Sequence, residues 1–433
     1  MRLTGALRGV LAVAAALGTL RGAGASREDR PNFVVIFCDD LGYSDLGCYG
    51  STAHRTPNLD RMAAEGVRFT SFYVGASVCS ASRAALMTGL YPRRTGITGV
   101  LFPKSQNGLP TSFPTLPSVL KKQGYATACV GKWHLGHKPE YLPMAHGFDR
   151  YFGIPYSNDM DLAPDLRLAA GVEPKGKGPP LMRGGEVVEA PAGQDTLTKR
   201  YTEEAAKFIA ENRNRSFFLY LPHAMPHVPL HASAEFQGPG GRATYAQVIA
   251  EIDWSVGVVL KTIREQGLAE KTLVVFASDN GPWLAKKEAA GSAGPLRDGK
   301  FSVYEGGFRE PAIFWGPGRV PAGKVCGEVA ATIDLLPTFA ALAGAPVPAG
   351  LDGKDIRPLI AGQAGAKTPH SEYFYATGAV RCGPWKLVRA KKAVELFNLE
   401  KDPGERENLA DSMPDRVKEL AALLDRYVKE GGR

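Results

Sequence analysis

The sequence has few of the features that mark specialised classes of protein. Cysteine accounts for 6 of its 433 residues, too few for a fold held together by disulfides, and no Cys-x-x-Cys pair indicates a zinc site. The formal net charge of +8 comes without a long run of lysine and arginine, which argues against a nucleic-acid-binding surface. After residue 25 no run reaches the roughly 18 apolar residues of a membrane-spanning helix, so we expect no integral membrane segment once a leader is removed.

The remaining composition is that of a large globular protein. Apolar residues make up 44% of the chain and charged residues 22%, close to the average for folded domains. The 50 glycines and 32 prolines predict many tight turns and structured loops. The length exceeds that of one small domain and predicts a large domain with a smaller one beside it.

Residues 1–25 have the pattern of an export signal. Arg2 and Arg8 form a basic start, an uncharged apolar run follows over 9–20, and Ala23-Gly24-Ala25 supplies a small-x-small cleavage site. The run is too short to cross a bilayer as a mature helix. We therefore expect an exported protein, periplasmic, secreted or in a lysosome-like compartment depending on the host. A short N-terminal anchor is the alternative.

Strand-like apolar runs alternate with helical patterns between residues 26 and 365. The alternation predicts an α/β domain built on a large mixed, mainly parallel sheet flanked by helices. The predicted strands are 32–37, 125–130, 217–221, 272–277 and 312–315. The predicted helices are 57–66, 82–88, 116–122, 198–211, 244–266 and 333–343, the last interrupted by Pro337.

The pattern changes in the last part of the chain. Two short strand-like runs within 379–389 flank a Cys382-Gly383-Pro384 turn, a third covers 395–398, and 415–429 is an amphipathic helix. We predict that residues 366–433 form a smaller α+β subdomain, an antiparallel sheet plus a helix.

Two pairs of polar side chains follow predicted strands. Asp39 and Asp40 come directly after the first strand, and Asp279 and Asn280 follow a later one. Because ligands of parallel sheets bind beyond the carboxyl ends of the strands, we expect the pairs to converge there, with a turn permitted by Gly42. An oxygen-rich set suits Ca²⁺ or Mg²⁺ better than a softer metal. Either pair alone is as well explained by a surface loop.

Further candidate side chains lie next to predicted elements. Cys79 stands directly before a predicted helix, whose N–H groups favour an oxyanion, and Arg83 adds a fixed positive charge. Lys132 and His134 follow a strand and are two residues apart. Other candidate donors are Ser157, His227 and Lys300. Each of these residues, taken singly, is as well explained by a structural role.

Taken together, the segments resemble the type I, formylglycine-dependent sulfatases. Cys79-Ser80-Ala81-Ser82-Arg83 and the small-residue helix after it are similar to the first signature of that family, and 124–134 is similar to the second. The segments 39–43 and 278–282 are similar to its metal segments, and 299–311 to a further block. Gly99-Val100-Leu101, Gly108-Leu109-Pro110 and 153–157 point toward the arylsulfatase A branch. The resemblance runs from about residue 31 to beyond 400.

The resemblance implies an alkaline-phosphatase-like fold and a reaction. A maturation enzyme would convert Cys79 to 3-oxoalanine (formylglycine), and the hydrate of this aldehyde would be the nucleophile. The enzyme would hydrolyse an aryl, glycolipid or carbohydrate sulfate ester to alcohol and inorganic sulfate through a covalent enzyme–sulfate intermediate. The family's metal, Ca²⁺ with Mg²⁺ as the alternative, would be bound by Asp39, Asp40, Asp279 and Asn280, with the side chain of residue 79 nearby.

The resemblance also assigns roles to the basic and hydroxyl side chains. Arg83 would hold the geometry of the formylglycine and the metal site. Lys132 and Lys300 would bind sulfate oxygens. Ser157 would donate a hydrogen bond near the sulfate.

Two histidines would move protons. His134 would assist removal of a proton from the second hydroxyl of the hydrate, and His227 would bind the substrate and protonate the leaving oxygen. His223 and His231 are the competitors for the role of His227.

Four questions stay open from the sequence alone. Residue 81 is alanine where most members of the family have proline, so the maturation system that recognises Cys79 is undetermined. A phosphatase or phosphodiesterase of the same superfamily is an alternative enzyme, but those usually pair two zinc ions with several histidines and a serine or threonine nucleophile. An exported binding protein on a sulfatase scaffold is the alternative if Cys79 is never modified. Substrate specificity is expected in the loops 99–110, 160–195 and 284–296.

Overall fold

The computed structural model describes residues 30–166, 177–390 and 393–431. The predicted export signal at 1–25 and part of the predicted loop 160–195 lie outside the described residues. Among the described helices, none combines the length and apolar character needed to cross a membrane.

A mixed sheet dominates the structure, and within the described residues it has eleven strands. In chain order they are β1 Asn32–Cys38, β2 Val67–Tyr73, β3 Ala126–Val130, β4 Arg150–Gly153, β5 Leu181–Arg183, β6 Glu186–Glu189, β7 Phe217–Pro222, β8 Thr272–Ser278, β9 Arg309–Trp315, β10 Lys324–Cys326 and β11 Ala330–Ala331.

The centre of this sheet is parallel. The spatial order is β10-β2-β9-β8-β1-β7-β3-β4-β5-β6, with β11 beside β2. The neighbours β8, β1, β7, β3 and β4 all run in one direction. β9 runs antiparallel to both β8 and β2, and β5 is antiparallel to its neighbours β4 and β6. The predicted mixed, mainly parallel sheet is therefore confirmed.

Helices cover both faces of the sheet. Every residue of β1 is buried, and its side chains alternate between two hydrophobic cores, with Val34 and Ile36 in one and Phe33 and Val35 in the other. This is why its sequence is a continuous apolar run rather than an alternating one. Within the described residues the α-helices given labels are α1 Pro57–Ala64, α2 Cys79–Thr88, α3 Pro92–Thr95, α4 Leu116–Lys121, α5 Leu197–Glu211, α6 Tyr245–Glu265, α7 Glu305–Phe308, α8 Leu335–Leu342, α9 Arg357–Ile360 and α10 Pro414–Lys429.

Two predicted helix positions were wrong. α2 begins at Cys79, with Val78 as its N-cap, rather than after the cysteine. Pro337 lies in the first turn of α8 and does not interrupt it, because a proline in the first turn loses no intrahelical hydrogen bond.

A second, antiparallel sheet lies in the C-terminal part of the chain. Its strands, in spatial order, are β12 Glu372–Tyr375, β13 Ala379–Cys382, β14 Trp385–Arg389 and β15 Val394–Asn398. α10 packs on β13 and β14, so the predicted small sheet plus helix is confirmed, with β12 as a strand that the pattern did not predict. The subdomain boundary at residue 366 stays a prediction.

Candidate active site

The carboxyl ends of the parallel strands bring the predicted residues to one edge of the sheet. Each of these strands ends a few residues before a polar side chain of the site, because the chain turns over that edge of the sheet. The segments are Asp39-Asp40 after β1, Asp279-Asn280 after β8, Lys132 to His134 after β3, Ser157 beyond β4 and His227 beyond β7. α2 supplies Cys79 and Arg83, and the connection from β8 to α7 supplies Lys300.

Three buried carboxylates lie at the centre of this edge. Asp39 and Asp279 are fully buried and Asp40 nearly so. Asp40 has a left-handed backbone with φ of 66°, and this turn lets two consecutive carboxylates face one point. Gly42 does not make the turn. It is glycine because a Cβ there would lie 2.4 Å from the backbone oxygen of Ser292.

These residues fit a hard divalent cation. Ligand atoms of Asp39, Asp40, Asp279 and Cys79 all lie within 4.8 Å of one another. The Nδ2 of Asn280 donates to Asp40 Oδ1 at 2.7 Å, while its Oδ1 is buried without a hydrogen-bond partner among the described residues. An orphaned buried carbonyl oxygen beside carboxylates is the donor set that Ca²⁺ and Mg²⁺ prefer.

Three buried cations surround the carboxylates. The guanidinium of Arg83 donates to Asp279 Oδ2 through Nε at 3.0 Å and to the backbone oxygen of Lys132 through Nη1 at 3.0 Å. Lys132 pairs with Asp39 and lies 3.2 Å from Ser157 Oγ. Lys300 Nζ lies 2.7 Å from Asp40 Oδ1 and 3.3 Å from Cys79 Sγ. The site therefore pairs each carboxylate with a fixed positive charge.

The carboxylates nevertheless differ in the direction in which their pKa values are shifted. Burial opposes the ionisation of Asp39, but Lys132, His227 and Arg83 together hold the pKa of its carboxyl well below the ordinary value. Burial and then repulsion from Asp39 raise the pKa of Asp279 to about 7, despite Arg83. The fixed cations thus do not fully compensate three carboxylates, and added positive charge would be stabilised here.

Cys79 is a poor nucleophile as a thiol. Its Sγ lies 3.3 Å from Asp39 Oδ1, and burial followed by the charge of Asp39 raises the pKa of the thiol well above its ordinary value. Since the thiolate is the reactive form, the site suppresses ordinary cysteine chemistry.

The hydrogen bonds of His134 define its tautomer. Nε2 lies 2.9 Å from the backbone oxygen of Leu101 and must donate to it, so the proton is on Nε2. Nδ1 is buried without a partner among the described residues. Burial lowers the pKa of this imidazole well below its ordinary value. His134 is thus neutral, with a free basic nitrogen.

His227 is oriented in the opposite sense. Its Nδ1 donates to the backbone oxygen of Val228 at 2.6 Å and lies 3.1 Å from Asn158 Oδ1. Nε2 lies 3.6 Å from Asp40 Oδ2 and faces the site. Burial lowers the pKa of His227, and the charges of Asp40 and then Asp39 oppose that shift.

The competing histidines lie elsewhere. His223 Nε2 contacts Ser255 Oγ on α6 at 3.2 Å, and burial lowers its pKa to about 4. His231 Nδ1 pairs with Asp195 at 2.6 Å at the surface. Among the described residues, His227 is the one of the three histidines that pairs with a site carboxylate.

Sequence reasoning missed the residues that orient the histidines. Asn158 holds His227 and is itself held by the backbone oxygen of Pro229 at 3.0 Å, and the Leu101 carbonyl holds His134. Asn158 follows Ser157 directly, so its position next to a candidate site residue was the one sequence signal that could have identified it. A backbone carbonyl gives no signal in a sequence.

Comparisons with known proteins agree with this geometry. The family described as Sulfatase matches residues 31–345, and the family described as N-sulphoglucosamine sulphohydrolase, C-terminal, matches residues 297–430. Arylsulfatase A of Homo sapiens is 40% identical, with 93% of this chain and 88% of that protein covered. N-acetylgalactosamine-6-sulfatase of Rattus norvegicus is 41% identical, with 81% and 69% covered.

Solved structures agree in fold. The crystal structure of Ps i-CgsB in complex with k-i-k-neocarrahexaose is 32% identical, covers 92% of each chain and superposes with a TM-score of 0.81. Phosphonate monoester hydrolase of Agrobacterium radiobacter, at 19% identity and a TM-score of 0.66 over 93% of this chain and 96% of that one, shares the alkaline-phosphatase-like fold. From the matched family and these relatives, this chain belongs to the type I sulfatase family, resembles arylsulfatase A over most of its length, and is a sulfuric ester hydrolase.

Proposed function

We propose that the chain hydrolyses an aryl, glycolipid or carbohydrate sulfate ester after Cys79 has been oxidised to formylglycine. The observation that carries the proposal is the position of Cys79. It is the first residue of α2, and its side chain lies 3.3 Å from both Asp39 Oδ1 and Lys300 Nζ. A nucleophile there sits among fixed cations and helix N–H groups, where an anionic group is stabilised.

Oxidation of Cys79 supplies what the thiol lacks. A thiol would form a sulfur-linked adduct with no second hydroxyl to expel the sulfate, and burial keeps this thiol protonated. The aldehyde hydrate has two hydroxyls. One attacks the sulfur and releases the alcohol, and loss of the proton from the other expels sulfate and restores the aldehyde.

The oxygen atoms of Asp39, Asp40, Asp279 and Asn280 would hold the divalent cation, for which we propose Ca²⁺. When bound, such an ion polarises the sulfate oxygens and lowers the pKa of the attacking hydroxyl. The support is the orphaned Asn280 oxygen and the raised pKa of Asp279, to about 7, both of which favour added positive charge.

Lys132 and Lys300 would bind the sulfate oxygens. Both ammonium groups are buried beside the nucleophile position and are held by carboxylates before any substrate arrives. Preorganised charge of this kind stabilises a transition state without reorganisation. Ser157, 3.2 Å from Lys132 Nζ, would donate a further hydrogen bond. Arg83 would keep Asp279 and the Lys132 backbone in place.

The two histidines are hydrogen-bonded through opposite ring nitrogens. His134 presents an unprotonated Nδ1 and would take the proton of the second hydroxyl. His227 donates from Nδ1 and presents Nε2 next to Asp40. The charge of Asp40 favours a second proton on this ring, and the protonated form would give its Nε2 proton to the leaving oxygen. Asn158 would orient His227 as a positioning residue.

The relatives suggest the kind of alcohol. One is named for N-acetylgalactosamine 6-sulfate and a related structure is bound to neocarrahexaose, so we include carbohydrate sulfates among the substrates. We further propose that the chain is exported and matured by a formylglycine-generating enzyme that accepts Ala81.

Mass spectrometry of the peptide carrying Cys79, combined with an ester assay, tests the proposal. Protein from the native host should carry the aldehyde at residue 79 and hydrolyse nitrophenyl sulfate much faster than nitrophenyl phosphate. Cys79→Ala should lose on the order of 10⁴-fold or more in turnover, as for the loss of other nucleophiles. Its melting temperature should be unchanged, because the thiol contributes chemistry rather than packing.

An unmodified thiol in active protein, or normal turnover by Cys79→Ala, would contradict the proposed nucleophile. A preference for the phosphate ester would move the chain toward the phosphatases of its superfamily.

A further inference from the structure

An exposed apolar surface borders the proposed sulfate site. Phe301 is 58% exposed and Leu284 45% exposed, and Trp283 is half-buried. We call Trp283, Leu284 and Phe301 the apolar platform. The Trp283 and Phe301 rings meet edge to face with centroids 5.6 Å apart. A Cβ added at Gly299, the neighbour of Lys300, would lie 3.3 Å from Leu284 Cγ, so the platform is continuous with the segment that carries Lys300.

The backbone of Phe301 is held in an unfavourable conformation. Its φ of 70° places a bulky side chain in the left-handed region, which such residues avoid. Hydrogen bonds of consecutive residues enforce it, from Lys300 N to the Pro282 oxygen and from Phe301 N to the Ser77 oxygen, each at 3.0 Å. Backbone strain and solvent exposure both make phenylalanine unfavourable at this position, and no burial of the ring in a core offsets them. Strained residues of this kind cluster at ligand sites.

The platform adjoins the groups that would handle the leaving oxygen. The Trp283 ring centroid lies 5.8 Å from that of His227. Lys300 Nζ lies 5.2 Å from the Trp283 centroid and 5.6 Å from that of Phe301. A sulfate held by Lys300, with its ester oxygen toward His227, therefore directs the alcohol half of the substrate onto these rings.

We propose that the apolar platform is the subsite for the alcohol half of the sulfate ester, and that it selects alcohols with a flat apolar face. This rests on the proposed function of the adjoining site. Aromatic rings bind such faces, whether the C–H face of a sugar ring or an aromatic ring, by stacking and by exclusion of water. The sulfate provides affinity for any sulfate ester, and the platform distinguishes ring-bearing alcohols from others.

The test compares ring-bearing ligands with inorganic sulfate in the mature full-length enzyme. The variants are Trp283→Ala and Phe301→Asn, the latter because asparagine tolerates a left-handed backbone and should fold at least as stably. Val325→Ala is the control, since Val325 is 59% exposed on β10 at the far edge of the sheet. For each enzyme one measures KM for phenyl sulfate and for a hexopyranose 6-sulfate, and the inhibition constant of inorganic sulfate.

Platform variants should raise KM for a ring ester on the order of 10-fold, as for loss of an aromatic contact. The inhibition constant of sulfate should stay unchanged in them, and Val325→Ala should match wild type throughout. A rise for the sugar ester alone identifies a C–H face as the ligand, a rise for phenyl sulfate alone identifies an aryl ring, and a rise for both identifies any flat apolar face.

Unchanged KM for both ring esters would overturn the platform, and so would an equal rise in the sulfate inhibition constant, which would place these residues in sulfate binding. Either result with an active wild-type enzyme leaves the proposed function intact. A wild-type enzyme that hydrolyses neither ester would refute the proposed function, and the platform with it.

Discussion

Two of the buried charge clusters in the described structure are similarly remote from solvent but differ in how their carboxylates are satisfied. One is the candidate active site. The other, the Glu305 cluster, joins the large sheet to the C-terminal sheet and consists of Glu305, Glu405, Lys386, Arg381, Tyr73 and Tyr375.

Both carboxylate oxygens of Glu305 are fully used. Oε1 accepts from Tyr375 OH at 2.7 Å and Lys386 Nζ at 2.9 Å, and Oε2 accepts from Tyr73 OH at 2.6 Å. Burial opposes ionisation, but Lys386 and Arg309 lead the charges that lower the pKa of Glu305 to about 2. In the active site, the equally buried Asp279 has a pKa of about 7.

The difference indicates what each cluster does. The saturated carboxylate of Glu305 stabilises one packing arrangement and has no capacity for a ligand, although its neighbour Glu405 keeps Oε1 without a hydrogen bond in the described structure. The active site keeps the oxygen of Asn280 and the Nδ1 of His134 without partners in the described structure, and this unused capacity suits it to bind an ion and move a proton. Burial alone therefore does not distinguish a catalytic cluster from a structural one.

The largest expected loss of activity follows a substitution in the candidate active site. Asp279→Asn should lower the bound divalent cation and activity together, the activity by about 100-fold or more, because it removes one ligand charge and one preorganised oxygen. Its melting temperature should fall as well, because the amide no longer forms an ion pair with the buried guanidinium of Arg83. Metal analysis, an ester assay and thermal melting of the same preparation measure all three.

Asp253→Asn is the matched control, because Asp253 is a buried carboxylate that accepts from the backbone of Asn58 and Leu59 at the start of α1. It should lose stability and keep its divalent cation. Full activity of Asp279→Asn in thorough chelator would refute the assignment of Asp279.

His227→Ala should affect substrates unequally. A nitrophenol leaves without much help, whereas a sugar or alkyl alcohol needs a proton, so the variant should slow sugar and alkyl sulfates about 10²–10⁴-fold and nitrophenyl sulfate far less. Steady-state kinetics on both ester types measures the gap. Equal losses would show that His227 only binds sulfate, and would move the acid role to Lys300, His223 or His231.

Lys386→Met should act on stability rather than on chemistry. It leaves two buried glutamates facing each other without their shared ammonium, and breaking a buried ion pair in this way costs about 3–5 kcal/mol. Chemical denaturation measures the loss, and turnover per folded molecule should stay near that of wild type. Lys199→Met, which removes an exposed pair with Glu235, should leave the unfolding midpoint unchanged. Loss of turnover at unchanged stability would mean that the clusters are functionally coupled.

The smallest expected effect is on the pH dependence of stability, through Glu405. Burial and then Glu305 raise the pKa of its carboxyl to about 7 from an ordinary value of 4.5, against the pull of Lys386. Between these values the folded state binds more protons than the unfolded state, so the free energy of unfolding falls as pH rises from 4.5 to about 7. Glu405→Gln lacks this contribution. The free energy of unfolding of wild type minus that of the variant, measured from denaturation curves, should therefore decline as the pH rises through that window. A difference that does not change with pH would contradict the raised pKa.

Much of this architecture follows from local sequence pattern. The strand 32–37 and the helix 244–266 were recognisable because buried strands are continuously apolar and amphipathic helices repeat every three to four residues. The small strand β12 was not, because four residues with two tyrosines and a phenylalanine carry too little periodicity. The start of α2 was placed late because Cys79 has no capping character, and the backbone of Val78 begins the helix instead.

The sequence by itself determined which chemical groups exist and that several of them follow strands, since both depend only on residue identity and short-range order. It also determined the family, through motifs that keep their spacing. The tertiary structure decided which groups meet. It placed His227, and neither His223 nor His231, beside a site carboxylate, and it turned the chain at Asp40. It left the charge of Asp279 incompletely compensated, while both carboxylate oxygens of Glu305 are hydrogen-bonded. It also placed the ring of Trp283 beside that of Phe301. These outcomes depend on the order of strands in the sheet and on burial, which set distance and dielectric, and neither is encoded in any single stretch of the chain.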